Sequence, residues 1–476
     1  MTISPRDVLF SLPSPLLPVT RLVVMVGAVL AVSAAAISSA YAQPVQPVQP
    51  AESTAPEEAS SPDGVPDGAN DDAGAVEAGG EAAVVAPATS GDTRPALAPT
   101  PEPAEKPAVR YSWGGYIKVD AIYNSTGRLA GDGSEFTGAG DAGDLLLVPG
   151  LVPVGGEVAE DGGGYNLNAR ESRFWLKAEA DTPRGAFKAY IEADFYGFNS
   201  SLGDELFTNS SSMRVRHAYG QIGGLLAGQT WSTFMDVPAL PEKIDFGSPA
   251  GRVFSRQAVI RYTRPVGPGA LDIALESPET TLTAADGSRI VRDDDIVPDV
   301  ILRYTYNTEA LRLVGGAMVR TIRADDVVAG ESATKPGVSG MVAAKVGVGK
   351  HNVRFVAHAG QGLGRYMALG PFTAGTIDAQ GGVELTTIFG GILSGQLWLT
   401  DTARFNLALS ASQAQNDTAR VPMTVNKNVA SVHSNVMWNP IEPVRVGLEV
   451  IYARRELEDG TDGALVRTQA SIRYMF

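Results

Sequence analysis

The sequence contains no cysteine, so disulfide bonds and thiolate metal sites are excluded. Its four histidines, His217, His351, His358 and His433, lack the spacing of a zinc site. Past residue 42, no stretch reaches the roughly 18 apolar residues that a membrane-spanning helix requires. If the chain is an integral membrane protein, it must therefore cross the bilayer as a β-barrel, because only helices and closed barrels pair all their backbone groups in lipid.

Two segments of unusual composition come first in the chain. A basic stretch is followed by an apolar run from Leu22 to Ile37, and small residues end the segment at Ala42, so we expect residues 1–42 to be a secretory signal peptide. Residues 43–110 are rich in Pro, Ala and Glu and carry most of the formal charge of −15. Such a segment buries too little apolar surface to fold. We predict a disordered periplasmic tail, with a contact to the cell wall or a partner as the alternative.

Apolar and polar residues alternate along most of residues 111–476. The stretch from Phe187 to Phe195, for example, places Ala189, Ile191 and Ala193 between charged or polar residues. A period of two indicates β-strands with one apolar and one polar face. The polar face carries full charges in strand after strand, as a water-filled lumen requires.

The segments that connect these strands alternate between short and long. The short ones lie at 182–184, 223–224, 265–268, 307–310, 348–350, 400–402 and 439–442. The long ones lie near 125–165, 198–211, 234–253, 278–297, 323–336, 362–380, 416–425 and 457–463. Bacterial barrels have an even number of strands, short periplasmic turns and long outer loops. The sequence therefore predicts an all-β fold, a sixteen-stranded antiparallel transmembrane β-barrel. Between residues 381 and 399 glycines interrupt the pattern. This region could form one strand or two short strands.

The last strand carries a local signal of its own. Apolar residues from Val466 to Phe476 occupy alternate positions, and the chain stops on the aromatic Phe476. This strand resembles the C-terminal signal that barrel-assembly machinery reads in outer-membrane proteins. We therefore expect that machinery and outer-membrane lipid to be partners, and the location to be the cell outer membrane of a Gram-negative bacterium.

Several segments together resemble one family of porins. They are LAGQTWSTFMD at 226–236, RQAVIRYT at 256–263, GYIKVDA at 115–121, RVRHAYG at 214–220, GQGLGRY at 360–366 and NVMWNP at 435–440. They are similar to the DcaP-like family of trimeric outer-membrane porins over about residues 111–476. The resemblance implies a homotrimer, a third loop folded into the pore, and uptake of small, often anionic, organic solutes. Some family members carry a helical coiled coil before the barrel, whereas the Pro-rich segment here has no heptads.

Basic residues near the third long loop predict an anion-attracting constriction. Arg214 and Arg216 are two residues apart and share a strand face, while Arg256 and Arg261 lie on the strand that leaves the loop. The predicted pore-lining residues are Arg170, Arg173, Lys177, Arg214, Arg216, Arg256 and Arg261, opposed by the loop acids Asp236, Glu242 and Asp245. Fixed guanidinium groups concentrate anions and offer forked donors to carboxylates. The hypothesis is a diffusion porin for small hydrophilic anionic solutes such as dicarboxylates. The alternative is that these arginines are merely solvated and paired with acids.

Two other classes of function stay open. An outer-membrane enzyme would need a histidine paired with a serine or an acid at the barrel rim, and the sequence shows no such constellation. The GxGxxG spacing at 138–143 follows no apolar strand and opens no helix. A structural barrel with a closed lumen is disfavoured by the inward arginines. We predict no catalytic residues, no cofactor, no metal and no nucleic-acid partner.

Overall fold

The computed structural model describes residues 108–126, 145–155, 162–197, 211–292, 295–325 and 332–476. The expected signal peptide lies outside these residues, and so does the expected tail apart from its last three positions. In the described part of the chain, no helix is long and apolar enough to cross a membrane.

Strands dominate the described residues, with short 3-10 turns at Pro149–Leu151, Val237–Ala239 and Gly364–Tyr366. In chain order the strands are β1 (Arg110–Thr126), β2 (Gly162–Asn168), β3 (Arg173–Thr182), β4 (Gly185–Gly197), β5 (Ser212–Ile222), β6 (Leu225–Trp231), β7 (Arg256–Val266), β8 (Gly269–Glu276), β9 (Thr280–Ala284), β10 (Arg289–Arg292), β11 (Asp299–Asn307), β12 (Leu311–Asp325), β13 (Ser332–Val348), β14 (His351–Gln361), β15 (Gly375–Ile377), β16 (Val383–Leu385), β17 (Thr387–Trp398), β18 (Ala403–Gln415), β19 (Asn426–Ile441), β20 (Val444–Leu457) and β21 (Asp462–Met475).

The main sheet is a closed antiparallel barrel of sixteen strands, as the sequence predicts. Both β2 and β3 pair with β1, so they are two halves of one interrupted strand. The first strand also pairs with the last, from Tyr116 opposite Met475 to Asn124 opposite Arg467, and this seam closes the ring. The short strands β9, β10, β15 and β16 form a separate small sheet. The interrupted region at 381–399 is therefore two strands, β16 and the barrel strand β17.

The connections follow the predicted alternation. Seven short turns join the barrel strands at one end, and this is called the short-turn end. The long loops at the other end are loop 1 (127–161), loop 2 (198–211), loop 3 (232–255), loop 4 (277–298), loop 5 (326–331), loop 6 (362–386), loop 7 (416–425) and loop 8 (458–461). Short turns belong to the periplasmic side of bacterial barrels, which orients the molecule.

The polarity of the barrel is the inverse of that of a soluble protein. On β18, Leu407 and Leu409 are exposed on the outer face, whereas Asn406 and Ser412 are buried inside. The same inversion recurs elsewhere, with Ile260 exposed on the outer face of β7. An apolar outer face of this extent suits contact with hydrocarbon and would be a liability in water.

The C-terminal residue completes the seam. The Phe476 backbone N–H donates to the Gly115 carbonyl oxygen at 3.1 Å, and the Gly115 N–H donates back at 3.0 Å. The Phe476 ring is 58% exposed and lies 6.0 Å from the ring of Trp113. We predict that Phe476→Asp lowers the amount of folded, heat-modifiable barrel, because the new charge would lie on the apolar outer face of the seam, beside Trp113. The control is Met475→Asp, whose side chain lines the lumen. Equal folded levels of Phe476→Asp and the unchanged protein would contradict the prediction.

Candidate functional site

Loop 3 folds into the barrel and crosses it. The loop leaves β6, the fifth strand of the ring, and contacts β18 to β21 on the far side. There Glu242 accepts hydrogen bonds from Arg404 on β18, at 2.6 Å from its Nε and 2.5 Å from its Nη2. On the return, the Gly251 N–H donates to Ser410 Oγ at 2.7 Å. Any side chain at Gly251 would collide with two wall carbonyl oxygens at 2.3 Å, so only glycine permits this approach.

The tip of loop 3 is held by buried charges. Glu449 on β20 is fully buried and accepts the backbone N–H of Ile244 and, at 2.7 Å, that of Asp245. Asp245 in turn binds Arg467 on β21 at 2.8 Å. Burial tends to raise the pKa of Asp245, but the positive charges around it, first Arg467 and then Lys243, together with the hydrogen bond from Arg467, outweigh burial and lower the pKa. Because the acids of the loop meet basic partners on the wall, they fix the loop in place.

The first half of loop 3 fills one side of the lumen. Phe234, Met235 and Leu240 pack against inward-facing apolar residues of β7 to β14, such as Met318 and Val356. Asp236 is buried there and binds Arg312 on β12, with 2.5 Å between Oδ1 and Nη2. The free passage is therefore displaced to the other side of the barrel.

A cavity of about 1240 Å³ occupies that other side. Ten basic and five acidic side chains line it. The basic residues are Arg173, Arg214, Arg216, Lys243, Arg252, Arg256, Arg354, Arg404, Arg445 and Arg473, and the acidic ones are Glu171, Glu242, Asp245, Asp401 and Glu442. The lining is thus positively charged although the chain as a whole carries −15.

Three of the predicted arginines are paired with acids in the wall. Arg214 forms a fork with Asp194, with distances of 3.0 Å from Nε and 2.8 Å from Nη2. Arg216 bridges Glu192 at 2.6 Å and Asp194 at 2.7 Å. Arg173 also reaches Glu192, at 3.3 Å. These three cations share two carboxylates, so they add positive charge to the lumen and are rigidly placed.

Two further arginines stand on aromatic rings. The guanidinium of Arg252 lies 4.3 Å from the ring centre of Phe254, and that of Arg256 lies 5.2 Å from the ring centre of Trp231. Within the described residues neither guanidinium has a carboxylate partner, and Nε of each is buried without a hydrogen bond. Burial and the nearby charge of Arg216 lower the pKa of Arg252, but a guanidinium stays charged at neutral pH.

Comparison with known proteins places the chain in a family. The family of DcaP outer membrane proteins matches residues 113–476, most of the chain. The protein belongs to the DcaP outer membrane protein family. Among solved structures, the outer membrane channel DcaP of Acinetobacter baumannii is similar, with 20% identity, a TM-score of 0.63, and coverage of 77% of this chain and 97% of that one. An anion-selective porin from Comamonas acidovorans has 10% identity and a TM-score of 0.49, with coverage of 78% and 100%. No curated protein sequence matches the chain.

The predicted site residues of this DcaP family member fall into two groups. Arg173, Arg214, Arg216, Arg256, Glu242 and Asp245 line the cavity. The others are absent from the described lining: Arg170 lies between β2 and β3, Lys177 pairs with Glu179, and Arg261 faces inward nearer the short-turn end. Asp236 is buried between the first half of loop 3 and β12, where it binds Arg312.

Sequence reasoning missed six of the ten basic residues in the described lining. Four of them lie on the inward faces of barrel strands: Arg354, Arg404, Arg445 and Arg473. The alternation of inward and outward residues along each strand was the signal that could have identified them. Lys243 and Arg252 had no such signal, because they lie in the aperiodic loop 3. Among the described residues, no group of three or more His, Asp or Glu side chains is placed to hold a metal ion.

Proposed function

We propose that this outer-membrane protein is a passive diffusion porin for small hydrophilic organic anions such as dicarboxylates. The observation that carries the proposal is the basic excess of the lining, ten cationic against five anionic side chains, around a cavity narrowed by loop 3. Distant loop acids have little influence there, because salt screens charges beyond about 8 Å under physiological conditions. Permeation is then decided by the local charge.

The geometry favours carboxylates over simple anions. Arg252 and Arg256 both lie over Phe254, at 4.3 and 5.9 Å from its ring centre. Neither is neutralised by a described acid. Nε of each and Nη1 of Arg256 are buried, so the donors open to a solute are the two Nη groups of Arg252 and Nη2 of Arg256. A guanidinium binds a carboxylate through two parallel hydrogen bonds, and two guanidiniums suit a solute with two carboxylates.

The assembly and surroundings are part of the same proposal. By resemblance to its family, we propose a homotrimer that barrel-assembly machinery inserts through the strand ending at Phe476. Residues 43–110 form a periplasmic tail in this proposal. The competing function, a structural or enzymatic barrel with a closed lumen, predicts no solute flow.

Liposome swelling tests the proposed function. A dicarboxylate should permeate several-fold faster than a neutral solute of equal size, and high salt should reduce the difference, because the charges of the lining are then screened. Faster permeation of an organic cation would contradict the anion preference. Absence of swelling with every solute would favour the closed barrel.

A further inference from the structure

Loop 1 is a second loop that folds into the lumen. Its described segment, 145–155, runs along the inner wall, where Leu147 and Val152 are fully buried against Ile451 and Leu465. The Leu147 N–H donates to Asp245 Oδ1 at 3.1 Å, and the Ser248 N–H donates to the Leu147 carbonyl oxygen at 3.3 Å. This part of loop 1 therefore rests directly on loop 3.

Loop 6 contacts loop 1 next to the arginines that line the cavity. Leu369 packs into an apolar cluster that includes Leu146, Phe246 and Tyr196. Leu369 has φ of +58°, the left-handed region that a non-glycine residue adopts only at a cost. Asn426 joins the two loops through its side-chain amide, which donates to the carbonyl oxygens of Gly150 at 3.4 Å and Pro371 at 2.9 Å.

This contact marks the outer limit of the cavity. At the short-turn end the lining reaches Thr402 and Ile441, so the cavity extends to the periplasmic rim. Toward the long loops it ends at Leu146 and Leu369, and no described residue of loops 4, 7 or 8 lines it. The guanidinium of Arg214 lies 5.4 Å from the ring centre of Phe246, directly beneath the contact.

We propose that the contact between loop 1 and loop 6, made by Gly150 with Pro371 and by the apolar cluster that Leu146 and Leu369 share, is a gate. The inference rests on the proposed function, since it concerns passage toward the same arginines. In this proposal a solute that arrives from outside separates loop 1 from loop 6 and passes the apolar cluster before it reaches the arginines of the cavity. A closed apolar constriction excludes water and hydrated ions, so the contact blocks flow until the loops separate.

A disulfide between the two loops tests the gate directly. A Cβ placed on Gly150 would lie 2.9 Å from Cα and 3.3 Å from Cβ of Pro371. The two backbones must therefore separate by a few tenths of an ångström to reach the Cβ spacing of about 3.5–4.5 Å in disulfides. The chain has no natural cysteine, so Gly150→Cys with Pro371→Cys introduces the only two thiols. We expect the oxidised double variant to pass small organic acids about tenfold more slowly than after reduction. Each single cysteine variant should not respond to reductant.

A second variant opens the contact without a crosslink. Leu146→Ala truncates one side chain to a methyl group and Leu369→Gly removes the other, and glycine adopts a positive φ without strain. We expect faster permeation of organic acids than in the unchanged protein, with the same heat-modifiable barrel. This variant keeps the gate testable even if the cysteine pair folds poorly.

The outcomes separate the gate from the proposed function. Equal permeation of the oxidised and reduced forms, with the disulfide confirmed, would overturn the gate and leave the porin intact. A folded cysteine variant that fails to crosslink would overturn it too, because the loops would not be in contact. Absence of flow in every form, including Leu146→Ala with Leu369→Gly, would instead overturn the proposed function.

Discussion

Replacing Arg252 and Arg256 together with alanine is expected to lower dicarboxylate uptake on the order of tenfold, which corresponds to about 1.4 kcal/mol. Uptake of a neutral solute of equal size should stay the same or rise, because the passage becomes wider. The two guanidiniums lack a described carboxylate partner, so their removal leaves no acid unpaired in the wall. Liposome swelling with the matched solute pair measures both rates.

The chain supplies a matched control for this experiment. Arg261 stands on the same strand as Arg256 and faces inward, but it is not part of the described lining. Arg261→Ala should therefore leave the ratio of the two uptake rates nearly unchanged. Lysine at both 252 and 256 should keep the ion preference but lose part of the carboxylate preference, because the forked donors are gone. An equal loss of uptake for both solutes in the alanine variant would show that the two arginines do not select carboxylates.

The pair predicted first from the sequence makes a less direct test. Arg214 and Arg216 bind Asp194 and Glu192, so alanine at both positions would leave two buried carboxylates without their principal partners. Any loss of anion uptake would then combine a missing cation with newly uncovered negative charge and with local destabilisation. The arginines without acid partners give the clearer result.

Glu449→Leu is expected to raise single-channel conductance on the order of twofold and to weaken ion selectivity, because a displaced constriction loop no longer narrows the pore. Glu449 accepts the backbone N–H groups of Ile244 and Asp245. Leucine has no acceptor, and each N–H left buried without a partner costs about 1–3 kcal/mol. The tip of loop 3 should move away from the wall to recover its hydrogen bonds.

Two variants separate anchoring from a general effect of lost charge. Glu456→Leu makes the same change on the same strand, at a residue that pairs with Lys427 near the rim. It should conduct like the unchanged protein. Glu449→Gln keeps an acceptor for the loop, so its conductance should also be close to that of the unchanged protein. Unchanged conductance in a folded Glu449→Leu barrel would contradict the prediction, because it would show that the other contacts of loop 3 are enough to hold the loop in place.

The barrel was predictable because each strand carries its own signal. Lipid on one side and water on the other force a period of two, so the alternation of Ile260, Arg261 and Tyr262 indicates which side chain points inward. The interruption between β2 and β3 was not predictable. The two halves pair with the same neighbour, and that depends on register rather than on local composition.

Only part of the site was predictable, because part of it depends on how the loops fold rather than on the pattern within a strand. The sequence placed acids on loop 3, but their partners Arg404 and Arg467 lie on strands more than 150 residues further along the chain. Pairing across a lumen depends on how far a loop reaches into it, and no periodicity encodes that distance. The same holds for Arg252, which lines the cavity only because loop 3 folds into the barrel.

The reversal potential of the purified full-length protein in a planar bilayer tests the central claim most directly. With a salt gradient across the membrane, its sign reports whether anions or cations carry the current. The positively charged lining predicts discrete conductance steps and an anion-selective potential, which should shrink in Arg252→Ala with Arg256→Ala. A cation-selective potential, or a folded barrel that never conducts, would contradict the account.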